Sequence, residues 1–450
     1  MNSQISPKNT VHAFLDLLKT RRSRRFGLGM SIPSGPLAYK SKHCPVPLNL
    51  EEEAAIAFAA CGLTRTGLGD LCYDKGEGGN IMVGQQGRTI ASGDGIQSVA
   101  LMVINDSGCQ LVKRSRDLNP TELKQIIEHG RSNELTEAYQ KLCTRISDKR
   151  LHPSTDPIEN ININRWSAQS KGSSCFLPIN DLTLLYINGL LEIFNETTGV
   201  FVVDERANFQ PAGLGKFARS KGGHLDDDPK LGKMVTIRHV ETLVSEFVAI
   251  EQGMMLQNMS LMTEAMGLGG FPHFANHEFA WFQALGFRMG EMAASRYLGC
   301  NWMVKAALRL LGKDTQVPYP LGLEFEGKTL LRSFCPPYFK NMDDAVQAVV
   351  DLKFNRSKGF NPLRWNHSLK NSEQAAKQVP ALTEKAIEAT KAYTNYVWNR
   401  YGRFPAHLAP FRTIMAFQAN HLDADFYDKY YHPEVLTDVQ RKDFERHKTD

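Results

Sequence analysis

The sequence has few of the features that mark secreted or membrane-spanning proteins. Its 450 residues include eight cysteines, which are widely spaced and form no Cys-x-x-Cys pair. This spacing excludes the compact disulfide framework of a small secreted domain, so we expect reduced, mostly buried thiols in a cytoplasmic protein. The first ten residues are polar and lack the apolar region of a secretion signal.

Long uncharged hydrophobic runs are also missing. The most hydrophobic stretch, residues 176–194, contains Asn180, Asp181, Asn188 and Glu192. These polar groups would lack hydrogen-bond partners in lipid. We therefore expect a buried helix preceded by a loop, and no membrane contact.

The net charge is small as well. The 53 basic residues nearly balance the 48 acidic ones, which leaves a formal charge of +5. Nucleic-acid-binding proteins usually concentrate basic charge, so no nucleic-acid partner is expected. Hydrophobic residues make up 42% of the chain, which is enough for a substantial core. A chain of this length is expected to form two or three domains, or one large domain with insertions.

Hydrophobic periodicity and turn residues predict a mixture of helices and strands. Helices are predicted at 11–22, 50–61, 121–146, 183–194, 240–267, 302–311, 343–353 and 382–400. Strands are predicted at 98–105, 109–113 and 199–204, the first two as a hairpin. The glycine-rich segment 64–98 is predicted to be irregular, and long irregular segments are often functional.

A basic cluster, Arg21-Arg22-Ser23-Arg24-Arg25, follows the first predicted helix. Guanidinium groups bind phosphate through paired hydrogen bonds, and a serine hydroxyl adds a neutral donor. In an extended segment, alternate side chains would point into one pocket. The pattern indicates either a phosphate-binding segment or a solvated basic run before a loop.

The longest predicted helix, 240–267, carries methionines at helical spacing and ends in Gly267-Leu268-Gly269-Gly270. The methionines are typical of a core face. Glycines stop helices, but they also let backbone N–H groups approach a ligand closely.

A third motif, Ser-Gly-Asp-Gly at 92–95, lies just before a predicted strand. It offers a hydroxyl, a carboxylate and backbone donors at a strand end. A tight turn has the same composition, so both interpretations stay open.

In this order, the three motifs resemble those of the nitroreductase-like flavoprotein superfamily, nearest the thiazole/oxazole-forming peptide dehydrogenase branch. The first resembles its Arg-Arg-Ser-x-Arg segment. The second resembles a Gln-Asn helix ending in Gly-Leu-Gly, and the third an Arg-x-x-x-Ser-x-Gly loop whose last glycine falls one position late here. Azoline oxidation is not expected, because the 92–95 loop is more polar than the branch's. The matching residues are Arg21, Arg22, Ser23, Arg25, Arg88, Ser92, Gln257, Asn258, Gly267, Leu268 and Gly269.

The resemblance implies an α+β, nitroreductase-like fold, with a central, mostly antiparallel sheet wrapped by helices and a helical C-terminal extension. It implies a flavin-binding domain at 1–345, with an insertion at about 115–240, followed by the extension at 346–450. It also implies a homodimer that uses FMN for two-electron, hydride transfer through flavin N5 on a small organic substrate, with NAD(P)H as a candidate electron donor.

The expected cofactor contacts come from the same resemblance. The arginines and serine of the basic cluster would bind phosphate and ribityl, and the backbone at Gly269 and Gly270 would approach N5. The expected cofactor-binding residues are Arg21, Arg22, Ser23, Arg25, Ser92, Gly93, Gln257, Gly267, Leu268, Gly269 and Gly270.

Two histidines, His273 and His277, follow the glycine turn. Their spacing suits a metal, but a third ligand is missing nearby, so no metal site is expected. At the edge of the flavin pocket they are candidate catalytic residues that contact substrate. Two alternatives remain: a flavin-binding or flavin-fragmenting protein without redox turnover, and a non-enzymatic interaction protein whose basic cluster docks on an acidic partner.

Overall fold

The structure is a computed structural model that describes residues 7–66, 86–154, 156, 164–274, 276–354 and 381–449. It combines helices and sheets, in agreement with the predicted mixed class. The described helices are α1 (Pro7–Thr20), α2 (Leu50–Cys61), α3 (Pro120–Arg131), α4 (Leu135–Leu142), α5 (Leu182–Ile193), α6 (Ile237–Met266), α7 (Glu278–Ala284), α8 (Ala294–Tyr297), α9 (Trp302–Leu310), α10 (Met342–Phe354), α11 (Glu384–Tyr401), α12 (Ala424–Tyr430) and α13 (Asp438–His447).

The strands are distributed along the whole described chain. They are β1 (Ser31–Ile32), β2 (Tyr39–Lys40), β3 (Leu63–Thr66), β4 (Gln86–Arg88), β5 (Val99–Asn105), β6 (Gly108–Val112), β7 (Cys143–Ser147), β8 (Ser174–Asp181), β9 (Phe201–Asp204), β10 (Gln210–Pro211), β11 (Met234–Thr236), β12 (Gly269–His273), β13 (Phe287–Ala293), β14 (Gln316–Phe325), β15 (Lys328–Arg332), β16 (Phe411–Arg412) and β17 (Ala416–Asn420).

Within the described residues, the largest sheet has seven strands, and every pairing in it is antiparallel. Its strands lie in the order β12, β17, β8, β5, β6, β7, and β16 also pairs with β8. All of β8 is buried. One face of the sheet packs against α2 and α6, and the other packs against α7 and the sheet formed by β13, β14 and β15.

Helix α6 is 30 residues long and crosses one face of the seven-stranded sheet. The Thr236 hydroxyl caps its start by accepting a hydrogen bond from His239 N. Met255 and Met259 are fully buried against the sheet, so the predicted core face is confirmed. Gly267 ends the helix with φ of 83°, a left-handed conformation that glycine adopts without strain.

Two local predictions are wrong. The residues expected to form a loop before the hydrophobic helix form β8, which is central to the sheet. A strand buried on both faces shows no alternation of polar and apolar residues, so periodicity could not identify it. The helix predicted at 121–146 is divided into α3, α4 and β7, and Asn133 turns the chain between the helices with φ of 59°.

The chain beyond residue 345 contains strands as well as the predicted helices. Strand β17 lies between β8 and β12 and pairs with both, and β16 pairs with β8. The prediction of a purely helical extension is therefore corrected at 411–412 and 416–420. Each strand is short, and its partners are distant in sequence, so local patterns did not indicate it. The domain boundaries themselves stay predictions.

Among the described helices, none has the length and apolar content that a membrane span requires. The cysteines at 44, 61, 109, 143, 175, 300 and 335 are free thiols, while Cys72 lies outside the described residues. Burial raises the pKa of Cys61 to about 11, which keeps this thiol protonated at neutral pH. Most of the glycine-rich segment predicted at 64–98 also lies outside the described residues.

Candidate functional site

The arginine segment, residues 21–25, runs from the end of α1 along the C-terminal half of α6. Arg21 Nη1 donates to Ser260 Oγ at 3.1 Å. Arg24 Nη1 donates to Glu264 Oε2 at 2.6 Å, and Arg24 Nε donates to Val435 O at 2.6 Å. Because Arg24 is only 3% exposed, its charge attaches the segment to α6 and does not face a ligand.

The other residues of the arginine segment keep their polar groups at or near the surface. Arg22 and Ser23 are exposed, and Arg21 and Arg25 are half-buried. Arg25 Nη1 donates to Asn164 Oδ1 at 3.1 Å, and its guanidinium carbon lies 5.0 Å from the centre of the Phe271 ring. This stacking orients the guanidinium without consuming all of its donors.

His273 is the candidate catalytic residue that the structure brings to Arg25. Its ring centre lies 5.5 Å from that of Phe271, the residue on which Arg25 stacks. The side chain is 3% exposed, and neither ring nitrogen has a hydrogen-bond partner within the described part of the chain. Burial, reinforced by the charge of Arg25, lowers the pKa of His273 to about 4. The ring is therefore neutral at pH 7, with one donor and one acceptor unused.

His277, the second candidate catalytic residue, has a local structural contact. It is the N-cap residue of α7, and its Nδ1 accepts a hydrogen bond from Phe279 N at 3.4 Å. Its ring centre also lies 4.7 Å from that of Phe279. These contacts stabilise the start of α7.

The glycine turn that ends α6 packs tightly against the C-terminal part of the chain. A side-chain carbon at Gly267 would meet Val439 O, and one at Gly269 would meet Leu422. At Gly270 it would meet both Thr263 and Phe417. The Cα faces of these glycines are thus occupied by protein, which is why no side chain fits there. Leu268 is 1% exposed and belongs to the core.

Strand β12, which begins with Gly269 and Gly270, has β17 as its only described sheet neighbour. In such an edge strand, alternate backbone N–H and C=O groups point away from the paired strand. Gln257 lies one helical turn before Ser260 on α6, and its side chain is exposed. It therefore shares the helix face that Arg21 contacts.

The loop that carries Ser92 and Gly93 contacts α6 near the middle of the helix, away from the arginine segment. Glu251 is a buried carboxylate, and it accepts hydrogen bonds from Ser92 Oγ at 2.8 Å and Ser98 Oγ at 3.0 Å. Arg88 also forms an ion pair with Glu251. Because Glu251 is nine residues before Ser260, this cluster lies about 14 Å along the helix from the Arg21 contact. The structure joins the first two motifs at the end of α6. The third motif meets α6 nearer its middle, where Asn258 Nδ2 also donates to Thr89 O at 3.1 Å.

A cavity of about 190 Å³ lies between α5 and the first half of α6. Its walls are mainly apolar, and Asp94 and His239 are among the polar residues that line it. Phe247 forms one wall and also packs beside Gly93. The volume is below the ~300–1,000 Å³ of sites for drug-sized ligands, so this cavity is too small for a flavin.

Sequence reasoning missed several residues that organise these clusters. Glu251 and Glu264 each hold an arginine, and Asn164 and Phe271 position Arg25. The two glutamates do carry a signal, because acidic residues within a methionine-rich, buried helix face require cationic partners. Asn164 carries no comparable signal, since its contact with Arg25 is made only in three dimensions.

Comparison with known proteins gives limited similarity. No protein-family model and no curated protein matches this chain. A crystal structure from Ralstonia eutropha JMP134, named as a nitroreductase, is 13% identical. The similarity covers 61% of this chain and 76% of that one, with a TM-score of 0.28.

Proposed function

We propose that this protein is an FMN-dependent oxidoreductase whose cofactor phosphate binds at the arginine segment. The observation that carries the proposal is the grouping of Arg25, Phe271 and His273. A guanidinium with remaining donors lies beside a buried, neutral imidazole whose two nitrogens have no described partner. Buried polar atoms without partners are rare and often mark the place of a ligand.

The arginine segment fits a phosphate chemically. Arg21, Arg22 and Arg25 supply planar guanidinium groups that can form paired hydrogen bonds to phosphate oxygens, and Ser23 supplies a hydroxyl. The ion pair between Arg24 and Glu264 fixes the backbone of the segment, so its neighbours are ordered before a ligand binds. Such preorganisation lowers the entropic cost of binding.

The ring site would lie along β12. Because the Cα faces of Gly269 and Gly270 are covered by protein, backbone N–H groups at the free edge of the strand are the available donors. When bound, FMN would supply two-electron transfer chemistry through N5. His273 would orient a substrate or ring carbonyl through its neutral N–H, since a pKa of about 4 makes it a poor proton donor at pH 7.

The remaining elements of the proposal concern partners. The homodimer would form through α1, where Val11, Phe14, Leu15 and Leu18 are all more than 40% exposed on one helix. Exposed apolar faces of this kind mark interaction sites. NAD(P)H is the proposed electron donor and a small organic molecule the substrate, in the cytoplasm.

The direct test is the absorption spectrum of the purified protein, with and without added FMN. We expect a bound flavin spectrum, and about tenfold weaker FMN binding for Arg22→Ala and for Arg25→Ala, because each removes a charge-assisted hydrogen bond. Arg441→Ala is the control, since that arginine pairs with Asp428 on the surface. Failure of the parent protein to bind FMN contradicts the proposal. Equal FMN binding by all variants would show that Arg22 and Arg25 do not bind the phosphate.

Turnover separates the proposal from its alternatives. Steady-state oxidation of NAD(P)H with a quinone or nitro acceptor supports an oxidoreductase. A flavin that is bound but never reoxidised by any acceptor supports a flavin-binding protein without redox turnover. An interaction protein would bind an acidic partner through the arginine segment in the complete absence of FMN.

A further inference from the structure

A second cluster of polar side chains lies where β17 continues into α12. Asp423 and Asp425 come from this junction, and His43 reaches it from the loop after β2. His43 Nε2 lies 3.2 Å from Asp425 Oδ2, and one ligand atom from each of the three residues lies within 4.8 Å of the others. None of these residues contributes to the proposed flavin site.

The buried carboxylate of this cluster, Asp423, is poorly compensated, whereas Asp425 pairs with His43 and is partly exposed. Asp423 is fully buried; its Oδ1 accepts a hydrogen bond from Phe426 N at 3.2 Å, but its Oδ2 has no partner in the described structure. Within the described ranges, His43 is the sole basic group within 4 Å of either carboxylate. An ionised carboxylate buried without a cation is costly, so either a proton or a cation is needed at this position.

The orientation of His43 shows where that charge would be. His43 Nδ1 lies 2.9 Å from the carbonyl oxygen of Thr449, which can only accept, so Nδ1 carries the hydrogen. Nε2 therefore faces Asp425 Oδ2 at 3.2 Å, and this position holds either a proton, as in an ordinary ion pair, or a metal ion that takes the place of the proton. A backbone carbonyl on one nitrogen is also the usual support of a metal-binding histidine.

We propose that His43, Asp423 and Asp425 bind a divalent cation of the Zn²⁺ type. One imidazole and two carboxylates suit Zn²⁺ better than Mg²⁺ or Ca²⁺, which prefer oxygen ligands alone. Tetrahedral ligands at the usual Zn–N and Zn–O lengths are roughly 3.3 Å apart, close to the separation of His43 and Asp425. The Asp425 side chain is 42% exposed, which gives the ion a route from solvent and a position for water.

A neighbouring histidine cluster provides an internal comparison. His421 Nδ1 lies 2.8 Å from Asp443 Oδ2, and its Nε2 lies 3.5 Å from Glu52 Oε2. His447 Nδ1 lies 3.0 Å from the backbone carbonyl of Asp443. His421 therefore has a carboxylate at each ring nitrogen, although only the contact of Nδ1 with Asp443 has hydrogen-bond geometry. Unlike Asp423, neither Asp443 nor Glu52 has a buried carboxylate oxygen without a partner in the described structure.

The experiment is titration of the metal-free, full-length protein with Zn²⁺ by calorimetry, with Mg²⁺ in parallel. We expect one tight Zn²⁺ per chain, with affinity reduced by at least about tenfold in His43→Gln and Asp425→Asn. Asp428→Asn on the same helix and His447→Gln in the neighbouring cluster are matched controls and should bind as the parent does. Mg²⁺ should not compete.

Thermal unfolding gives a second measurement. Zn²⁺ should raise the melting temperature of the parent protein and of Asp428→Asn, but not of His43→Gln or Asp425→Asn. Without metal, Asp423→Asn should be at least as stable as the parent, because asparagine keeps the helix cap and removes the buried charge. Absence of Zn²⁺ binding by the parent protein overturns the proposal. So does binding that His447→Gln abolishes and His43→Gln leaves intact.

Discussion

Arg24 and Glu264 form an ion pair with side chains that are only 3% and 4% exposed, and their charged atoms lie 2.6 Å apart. This pair connects the segment after α1 to the last turn of the long helix α6. Arg24 occupies the unspecified position of the Arg-Arg-Ser-x-Arg motif, yet it is the residue that holds the other arginines in position.

Breaking this ion pair should destabilise the fold strongly. We expect Arg24→Ala to lower the free energy of unfolding by about 3–5 kcal/mol, because it leaves Glu264 as a buried, unpaired charge. Arg22→Ala, at an exposed position, should change it by less than about 0.5 kcal/mol. Chemical denaturation measures both. Replacing both partners with methionine should recover much of the loss, and equal effects of the two alanine variants would contradict the structural role of Arg24.

Because the pKa of His273 is low in the folded protein, the stability of the fold should decrease as the pH is lowered. In the folded protein its pKa is about 4, whereas an unfolded histidine titrates near 6.5. The unfolded state therefore binds more protons between these values, and stability is lost as pH falls from 6.5 to 4. The loss in the free energy of unfolding that comes from His273 amounts to roughly 3 kcal/mol once the pH is below 4. Unfolding measured from pH 7 to pH 4 should show a shallower loss for His273→Asn, and parallel curves would contradict the assignment.

Replacement by alanine should change stability in opposite directions at Gly253, inside α6, and at Gly267, which ends it. Gly267 adopts φ of 83° and packs against Val439, so Gly267→Ala is strained in both backbone and packing and should cost more than about 1 kcal/mol. Gly253 is exposed inside the helix, with nothing near the position of a new side chain. Gly253→Ala should stabilise by about 0.5–1 kcal/mol through helix propensity. Melting temperatures of the two variants decide this.

The apolar face of α1 should control assembly. Phe14 and Leu18 are 53% and 42% exposed, one helical turn apart. We expect the parent protein to be a dimer by light scattering, and Phe14→Glu with Leu18→Glu to produce monomers, because two buried charges are costly in an interface. Asp16→Lys, on the same helix but at an already charged residue, serves as the control. A monomeric parent protein would remove this interface.

The sequence predicted elements that depend on neighbouring residues and missed those that depend on distant ones. The long helix was located to within three residues, because its methionines and its terminal glycine are local signals. Strand β8 lies where the sequence predicts a loop, because burial on both faces removes the alternation that identifies strands. Grouping Arg25 with Phe271 required the folded chain, as did the separation of Ser92 from the arginine segment.

The position of β17 has a consequence for biosynthesis. This strand is made late, yet it joins β12, with Phe271 and His273, to the rest of the sheet. A nascent chain that has not reached residue 420 lacks the template on which β12 pairs. The proposed flavin site therefore forms only after most of the polypeptide has left the ribosome, and until then the edge of β8 is open to wrong pairing or to a chaperone.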